Sequence, residues 1–188
     1  MKVLLLDNYD SFTYNIAQII NQTNICKLDI IKNDKIEIKQ VAFYDKILLS
    51  PGPDIPKKSG KMMQIIEQFY DKIPILGICL GMQAIVQCFG GDIYNMKNIF
   101  HGIKENITIR NNSLIFSGLD NTFTAGLYHS WAVSKKNFPK ELKITALSSK
   151  GIIMAIEHND FPVYGVQFHP ESYMTPKGKK IIENWLKL

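Results

Sequence analysis

Between residues 3 and 89 the sequence alternates short, unbroken apolar runs with stretches in which apolar residues recur every three or four positions. An unbroken run suits a strand buried on both faces, whereas the wider spacing suits a helix that buries one stripe. Residues 3–6 read as the first strand. A helix is expected to follow from Asp10 or Ser11, both good N-caps, with Phe12, Ile16, Ile19 and Ile20 in phase. Strands are expected at 28–31 and 46–49, a helix over 62–70, a strand over 73–78 and a helix over 80–89 closed by Gly90-Gly91. Strands joined by short links through helices imply a parallel sheet covered on both faces. From Asp92 onward the pattern changes to strands, at 103–109, 123–128, 144–147, 152–157 and 163–168. A last helix is expected over 176–187, with Pro176 in its first turn. The expectation is a single α/β domain over residues 1–188. It has a mostly parallel central sheet flanked by helices, and an additional antiparallel β section in the second half.

Composition removes several function classes. The 188 residues can bury a sizeable core without disulfides or structural metals. The three cysteines, Cys26, Cys79 and Cys88, are odd in number and match no zinc spacing, so a reduced, cytoplasmic setting and no metal are expected. The longest apolar stretch, residues 74–82, contains two glycines and is too short to span a membrane. Lys+Arg of 22 against Asp+Glu of 17 gives +5, but Arg110 is the only arginine. Scattered lysine without arginine argues for solubility rather than nucleic-acid recognition.

The most informative segment is Gly77-Ile78-Cys79-Leu80-Gly81, which has the G-x-nucleophile-x-G spacing between a buried strand and a helix. Such a turn is too tight for side chains beside the nucleophile. Cys79 then stands at a helix N-terminus, where free N–H groups and the dipole favour a thiolate. The Leu80 N–H is placed to hold an oxyanion. Gln83 lies four residues beyond Cys79 on the same helical face, where its amide can recognise a small polar substrate. Cys88 should face the opposite way. An inert, buried Cys79 is the competing reading of this motif alone.

A thiolate needs a general base, and the base needs a group that fixes its tautomer. His169 stands at a strand end, and Gly165, Gln167 and His169 share one face opposite Tyr164, Val166 and Phe168. Pro170 stiffens the corner and Glu171 can return beside the imidazole. Taken alone, His169 and Glu171 read first as a surface pair of little energetic weight; joined to the Cys79 elbow at the same expected sheet edge, they read as base and orienter. His129, in Tyr128-His129-Ser130-Trp131, follows a strand at a turn. His101 lies in a loop, and His158 precedes a hairpin-like turn and is expected to be solvated.

Taken together these segments resemble the class I (triad) glutamine amidotransferases, and more narrowly the small glutaminase component of anthranilate synthase and of aminodeoxychorismate synthase. The resemblance is carried by residues 7–15, Leu49-Ser50-Pro51-Gly52-Pro53, Gly77–Gly81 with Gln83, Tyr128-His129-Ser130, and Gly165 to Glu171. It implies Cys79 as nucleophile, His169 as base and Glu171 as its orienter. It implies an oxyanion hole from the backbone of Gly52 and Leu80, and glutamine binding by Gly52, Pro53, Asp54, Gln83, Ser130 and Trp131. The implied reaction hydrolyses the glutamine side-chain amide through a γ-glutamyl thioester, with no cofactor. Because 188 residues leave no room for an acceptor-substrate domain, the implied partner is a large chorismate-binding synthase subunit on another chain. The sequence departs from the family's usual residues at Asp54, Met82, Ile103 and Leu127. Two rivals are a redox cysteine protein of similar fold, which needs neither Gln83 nor His-Pro-Glu, and a non-catalytic binding module.

Overall fold

Four consecutive apolar residues, Val3 to Leu6, leave a strand with no polar face, and both of its sides are buried. In the computed structural model, which describes residues 1–96 and 102–188, β1 (Lys2–Asp7) lies within a nine-stranded sheet. Val3 and Leu5 enter one apolar core, and Leu4 and Leu6 enter a second on the other face. Then come α1 (Thr13–Asn21), β2 (Lys27–Lys32), the short α2 (Ile38–Val41), β3 (Lys46–Leu49), α3 (Met62–Phe69), β4 (Ile75–Ile78) and α4 (Leu80–Cys88). The second half adds β5 (Ile93–Asn95), β6 (Ile103–Ile109), β7 (Thr122–Leu127), β8 (Trp131–Val133), β9 (Leu142–Ser148), β10 (Ile153–His158), β11 (Val163–Val166) and α5 (Gly178–Lys187).

The sheet order is β2-β1-β3-β4-β11-β10-β9-β6-β7. Strands β2 to β11 in that order run parallel, and the rest continue the same sheet antiparallel. Ile16 and Ile20 of α1 and Ile181, Ile182 and Trp185 of α5 pack into the first core. Met62, Ile65 and Ile66 of α3 and Ala84, Ile85 and Val86 of α4 pack into the second. The α/β architecture read from the sequence is thus the one observed, with the antiparallel section hydrogen-bonded directly onto the parallel one.

One register decides where chemistry can happen. β11 pairs with β4 so that Gly165 lies beside Gly77 and Val166 beside Ile78. The chain leaving β11 toward His169 therefore emerges at the same sheet edge as Cys79. The C-terminal ends of β1 and β3 share that edge, the position where α/β sheets bind ligands.

Several boundaries differ from the sequence reading. The first helix begins at Thr13, because Asp10 Oδ1 accepts the Phe12 N–H at 2.8 Å in a turn ahead of the helix. The last helix begins at Gly178, two residues beyond Pro176, where the backbone lies so close to the Pro170 carbonyl that a Cβ would fall 1.9 Å from its oxygen. β5 and β8 form a separate two-stranded sheet. Each has three residues, too few to show a period. His158 is only 3% exposed, not solvated. Its Nδ1 accepts the backbone N–H groups of Asp160 and Phe161, and its ring packs against Phe89 and Phe161 with centroids 5.0 and 4.9 Å away. His101 lies outside the described residues. Among the described residues no helix is long and apolar enough to cross a membrane.

Candidate active site

Cys79 joins β4 to α4 with φ 52° and ψ −100°, a conformation that L-residues avoid. Such a residue costs on the order of 1–3 kcal/mol and persists only where its surroundings over-determine it. Here they do. A Cβ on Gly77 would lie 2.4 Å from the Gly81 carbonyl carbon, and one on Gly81 would lie 2.7 Å from the Leu49 oxygen. The two glycines let strand, helix and neighbouring strand close on each other, and the Cys79 N–H donates to the Val166 carbonyl at 2.8 Å. The thiol is thereby held at the N-terminus of α4, next to the Leu80 N–H.

His169 and Glu171 are also brought to this edge, both buried. His169 Nδ1 lies 2.6 Å from Glu171 Oε1. An ionised carboxylate can only accept, so Nδ1 carries the proton and Nε2 is the nitrogen left for chemistry. Nε2 is buried and makes no full hydrogen bond, but the ring interacts with the Cys79 thiol. Burial opposes the imidazolium, yet the Glu171 carboxylate and the Cys79 sulfur outweigh it and hold the His169 pKa well above the usual imidazole range. The ring is clamped by Phe12 and Tyr128, whose centroids lie 5.1 and 4.9 Å away. Its backbone is fixed by an N–H to the Gly126 carbonyl and by the Thr175 hydroxyl on its own carbonyl.

The loop after β3 is held by the segment after β1. Ser50 Oγ accepts the Asn8 N–H at 2.8 Å, and Asn8 Nδ2 donates to the Ser50 carbonyl at 2.8 Å. Asn33 Nδ2 in turn donates to Asn8 Oδ1. Asp7 Oδ1 accepts from the Tyr9 N–H and the Thr13 hydroxyl, shaping the turn that carries Asn8. Gly52 then lies so close that a Cβ would fall 2.7 Å from both Asn8 Cβ and Leu80 Cδ2. Asn8, in a turn shaped by Asp7, thus acts as the scaffold of the Gly52 loop, a role that spacing alone did not reveal.

Between these parts is a cavity of about 160 Å³ lined by Gly52, Pro53, Asp54, Cys79, Leu80, Gln83, Tyr128, His129, Ser130 and Trp131. It is well below the roughly 300–1,000 Å³ of drug-sized sites and suits one small polar molecule. All six residues expected to bind substrate lie on its wall. His129 Nδ1 donates to the Trp131 carbonyl at 2.8 Å, and burial drives its pKa down to about 4. Asp54 has φ 64° and is bonded through Oδ2 to Lys58 Nζ at 2.8 Å.

Gln167 was not among the expected site residues, yet it is fully buried and donates from Nε2 to Cys79 Sγ at 3.4 Å. The signal was present in the shared face of Gly165, Gln167 and His169. Of the departures, Met82 is buried against Gly165, where a Cβ would strike its side chain, and Leu127 is buried in the first core. Cys88 faces Met63, and burial pushes its thiol up to about 12; Cys26 is half-buried with its thiol also pushed up by burial. A larger cavity of about 410 Å³ under residues 112–119 is lined by no ionisable side chain. Among the described residues no three His, Cys, Asp or Glu side chains cluster to hold a metal.

The family described as glutamine amidotransferase class-I matches residues 4–188. A Haemophilus influenzae protein provisionally named anthranilate synthase component II is 43% identical over 188 residues, covering 100% of this chain and 97% of that one. The Bacillus subtilis aminodeoxychorismate/anthranilate synthase component 2 is 42% identical, covering 98% of this chain and 95% of its own. A crystal structure of a Thermoplasma acidophilum protein, provisionally described as a GMP synthase subunit, superposes with a TM-score of 0.89. It is 26% identical and covers 100% of this chain and 92% of that one.

Proposed function

The chain belongs to the class-I glutamine amidotransferase family, and we propose that within it the chain is the glutaminase subunit of an anthranilate synthase, passing ammonia to a chorismate-using synthase subunit. The observation that carries the chemistry is the Cys79 elbow opening on a cavity of amino-acid size, backed by the His169–Glu171 pair.

In this reading the Cys79 thiolate attacks the carbonyl carbon of the glutamine side-chain amide. The oxygen takes the negative charge and is received by the backbone N–H groups of Gly52 and Leu80. His169, charged by the proton it shares with Cys79 and held by Glu171, gives that proton from Nε2 to the amide nitrogen. The C–N bond breaks, ammonia leaves and a γ-glutamyl thioester remains. Water then attacks the thioester, losing its proton to His169; the C–S bond breaks and glutamate departs. The α-amino and α-carboxylate groups are received by the Gly52–Asp54 loop, Gln83 and the Ser130–Trp131 backbone. No step calls for a cofactor.

The pathway assignment rests on relatives at 42–43% identity over nearly the whole chain that carry anthranilate synthase names. The Bacillus subtilis relative carries the aminodeoxychorismate name as well. Service to that second synthase, alone or shared, is therefore the alternative reading. Cys79→Ser in the complex is expected to abolish glutamine-dependent synthesis while leaving ammonia-dependent synthesis intact. Loss of both would remove the catalytic reading, and the aromatic product of the co-purified synthase decides between pathways.

A further inference from the structure

Four polar groups run in an unbroken line from the cavity wall to the nucleophile. The Trp131 carbonyl accepts from Gln83 Nε2 at 3.0 Å, and the same nitrogen donates to Gln167 Oε1 at 3.1 Å. Gln167 Nε2 then donates to Cys79 Sγ at 3.4 Å. Side-chain amides can be turned end for end, but a backbone carbonyl cannot. Turning Gln167 alone would set two amide NH₂ groups face to face. Turning both would set Gln83 Oε1 against the Trp131 oxygen. The carbonyl therefore fixes the polarity of the whole line.

Two consequences follow from that polarity. Both hydrogens of the Gln83 amide are spent inside the protein, so Oε1 is what it can offer a ligand, an acceptor suited to an ammonium group. At the other end the sulfur receives an N–H donor, which fixes where the nucleophile sits. Gln167 is fully buried and tied by its backbone N–H to the Met154 carbonyl at 2.9 Å, so water does not compete for either end of its side chain.

We propose that Gln167 is a positioning residue for the glutaminase reaction: its amide holds the Cys79 sulfur through Nε2 and the Gln83 amide through Oε1, linking the amino-acid subsite to the readiness of the nucleophile. This rests on the glutaminase reading above. The ammonium of an incoming amino acid polarises Gln83, whose Nε2 then donates more strongly to Gln167, and the effect arrives at the sulfur along the same line.

The test uses the full chain, with alkylation of Cys79 by iodoacetamide followed by mass spectrometry, and glutamine hydrolysis in parallel. Gln167→Met keeps the length and loses both polar ends. Alkylation and kcat are expected to fall together, roughly tenfold or more, while KM for glutamine rises because Gln83 is released. Gln167→Glu, once ionised, keeps an acceptor for Gln83 but turns an acceptor toward the sulfur. KM is then expected to stay near that of the unsubstituted chain while kcat and alkylation fall, the loss deepening with rising pH as the buried carboxyl ionises. A purely structural role predicts equal shifts in KM for both variants and no pH signature; that result, or unchanged Cys79 alkylation in both, overturns the proposal. Protection of Cys79 by glutamine in the unsubstituted chain is the control on the underlying reading. Its absence removes the glutaminase assignment, and this proposal with it.

Discussion

Two histidines, His169 and His158, are almost equally buried, at 2% and 3% exposure, and they sit at opposite edges of the same sheet. His169 follows the C-terminal end of β11, whereas His158 closes β10, which runs antiparallel to it. Their Nδ1 atoms have opposite partners. That of His169 faces a carboxylate, so the ring carries its proton there and its pKa is raised. That of His158 accepts two backbone N–H groups, so the ring must stay neutral, and burial lowers its pKa. Burial alone does not make a base. The group placed at Nδ1 decides whether a buried imidazole is poised to carry charge or is a packed turn-former.

The largest expected effect tests the first half of that contrast. Glu171→Gln keeps the shape but removes the charge that orients His169, and glutamine turnover should fall by roughly 10²–10⁴-fold. Turnover within a few-fold of the unsubstituted chain would mean that His169 does not depend on its carboxylate. His158→Ala should do the reverse. It orphans two backbone donors and opens a hole among Tyr70, Phe89 and Phe161. A loss of roughly 2–4 kcal/mol in urea unfolding is expected, with kcat for glutamine unchanged.

The pH dependence of stability sharpens the same comparison. His129 has a folded value of about 4 against the ordinary 6.5, and His158 is lowered in the same direction. Between those values the unfolded chain binds more protons, so stability is fully present above pH 6.5 and is lost as the pH falls toward about 4. His169 has the opposite sign. Its raised value contributes stability that is complete below 6.5 and lost as the pH rises through its folded value. Tm should therefore decline on acidification below 6.5, and His129→Gln, which can still donate to the Trp131 carbonyl, should flatten the decline. A Tm that declines identically in that variant would assign the acid sensitivity elsewhere. The smallest effect is expected from Phe12→Leu. It removes one wall of the His169 clamp and should lower kcat by only a few-fold, through an aromatic contact of roughly 0.5–1.5 kcal/mol.

Much of this site could be read from local order. The elbow with Gln83, and separately the His-Pro-Glu corner, each span only a few consecutive residues, and their backbone demands are visible as glycine, proline and helical spacing. The solvated reading of His158 failed because the Asn159-Asp160 turn looks polar in sequence. What buries the ring are Tyr70 and Phe89, from residues about seventy to ninety positions earlier. Gln167 was passed over for a similar reason. Its two partners, Gln83 and Cys79, are 84 and 88 residues away, and nothing local shows that an amide in a strand extension will meet them.

By itself the sequence determined the alternation of buried strands and helices, the cysteine at the strand-to-helix elbow as the candidate nucleophile, and the pairing of a histidine with a carboxylate two residues on. These follow from hydrophobic periodicity and from the steric demands of a tight turn, both of which are short-range. Only the tertiary structure decided which histidine has its pKa raised, which amide faces the sulfur, and that Asn8 holds the Gly52 loop. Those outcomes depend on the register of β11 against β4 and on which polar groups meet once water is excluded, and hydrogen-bond polarity is settled only when both partners are in place.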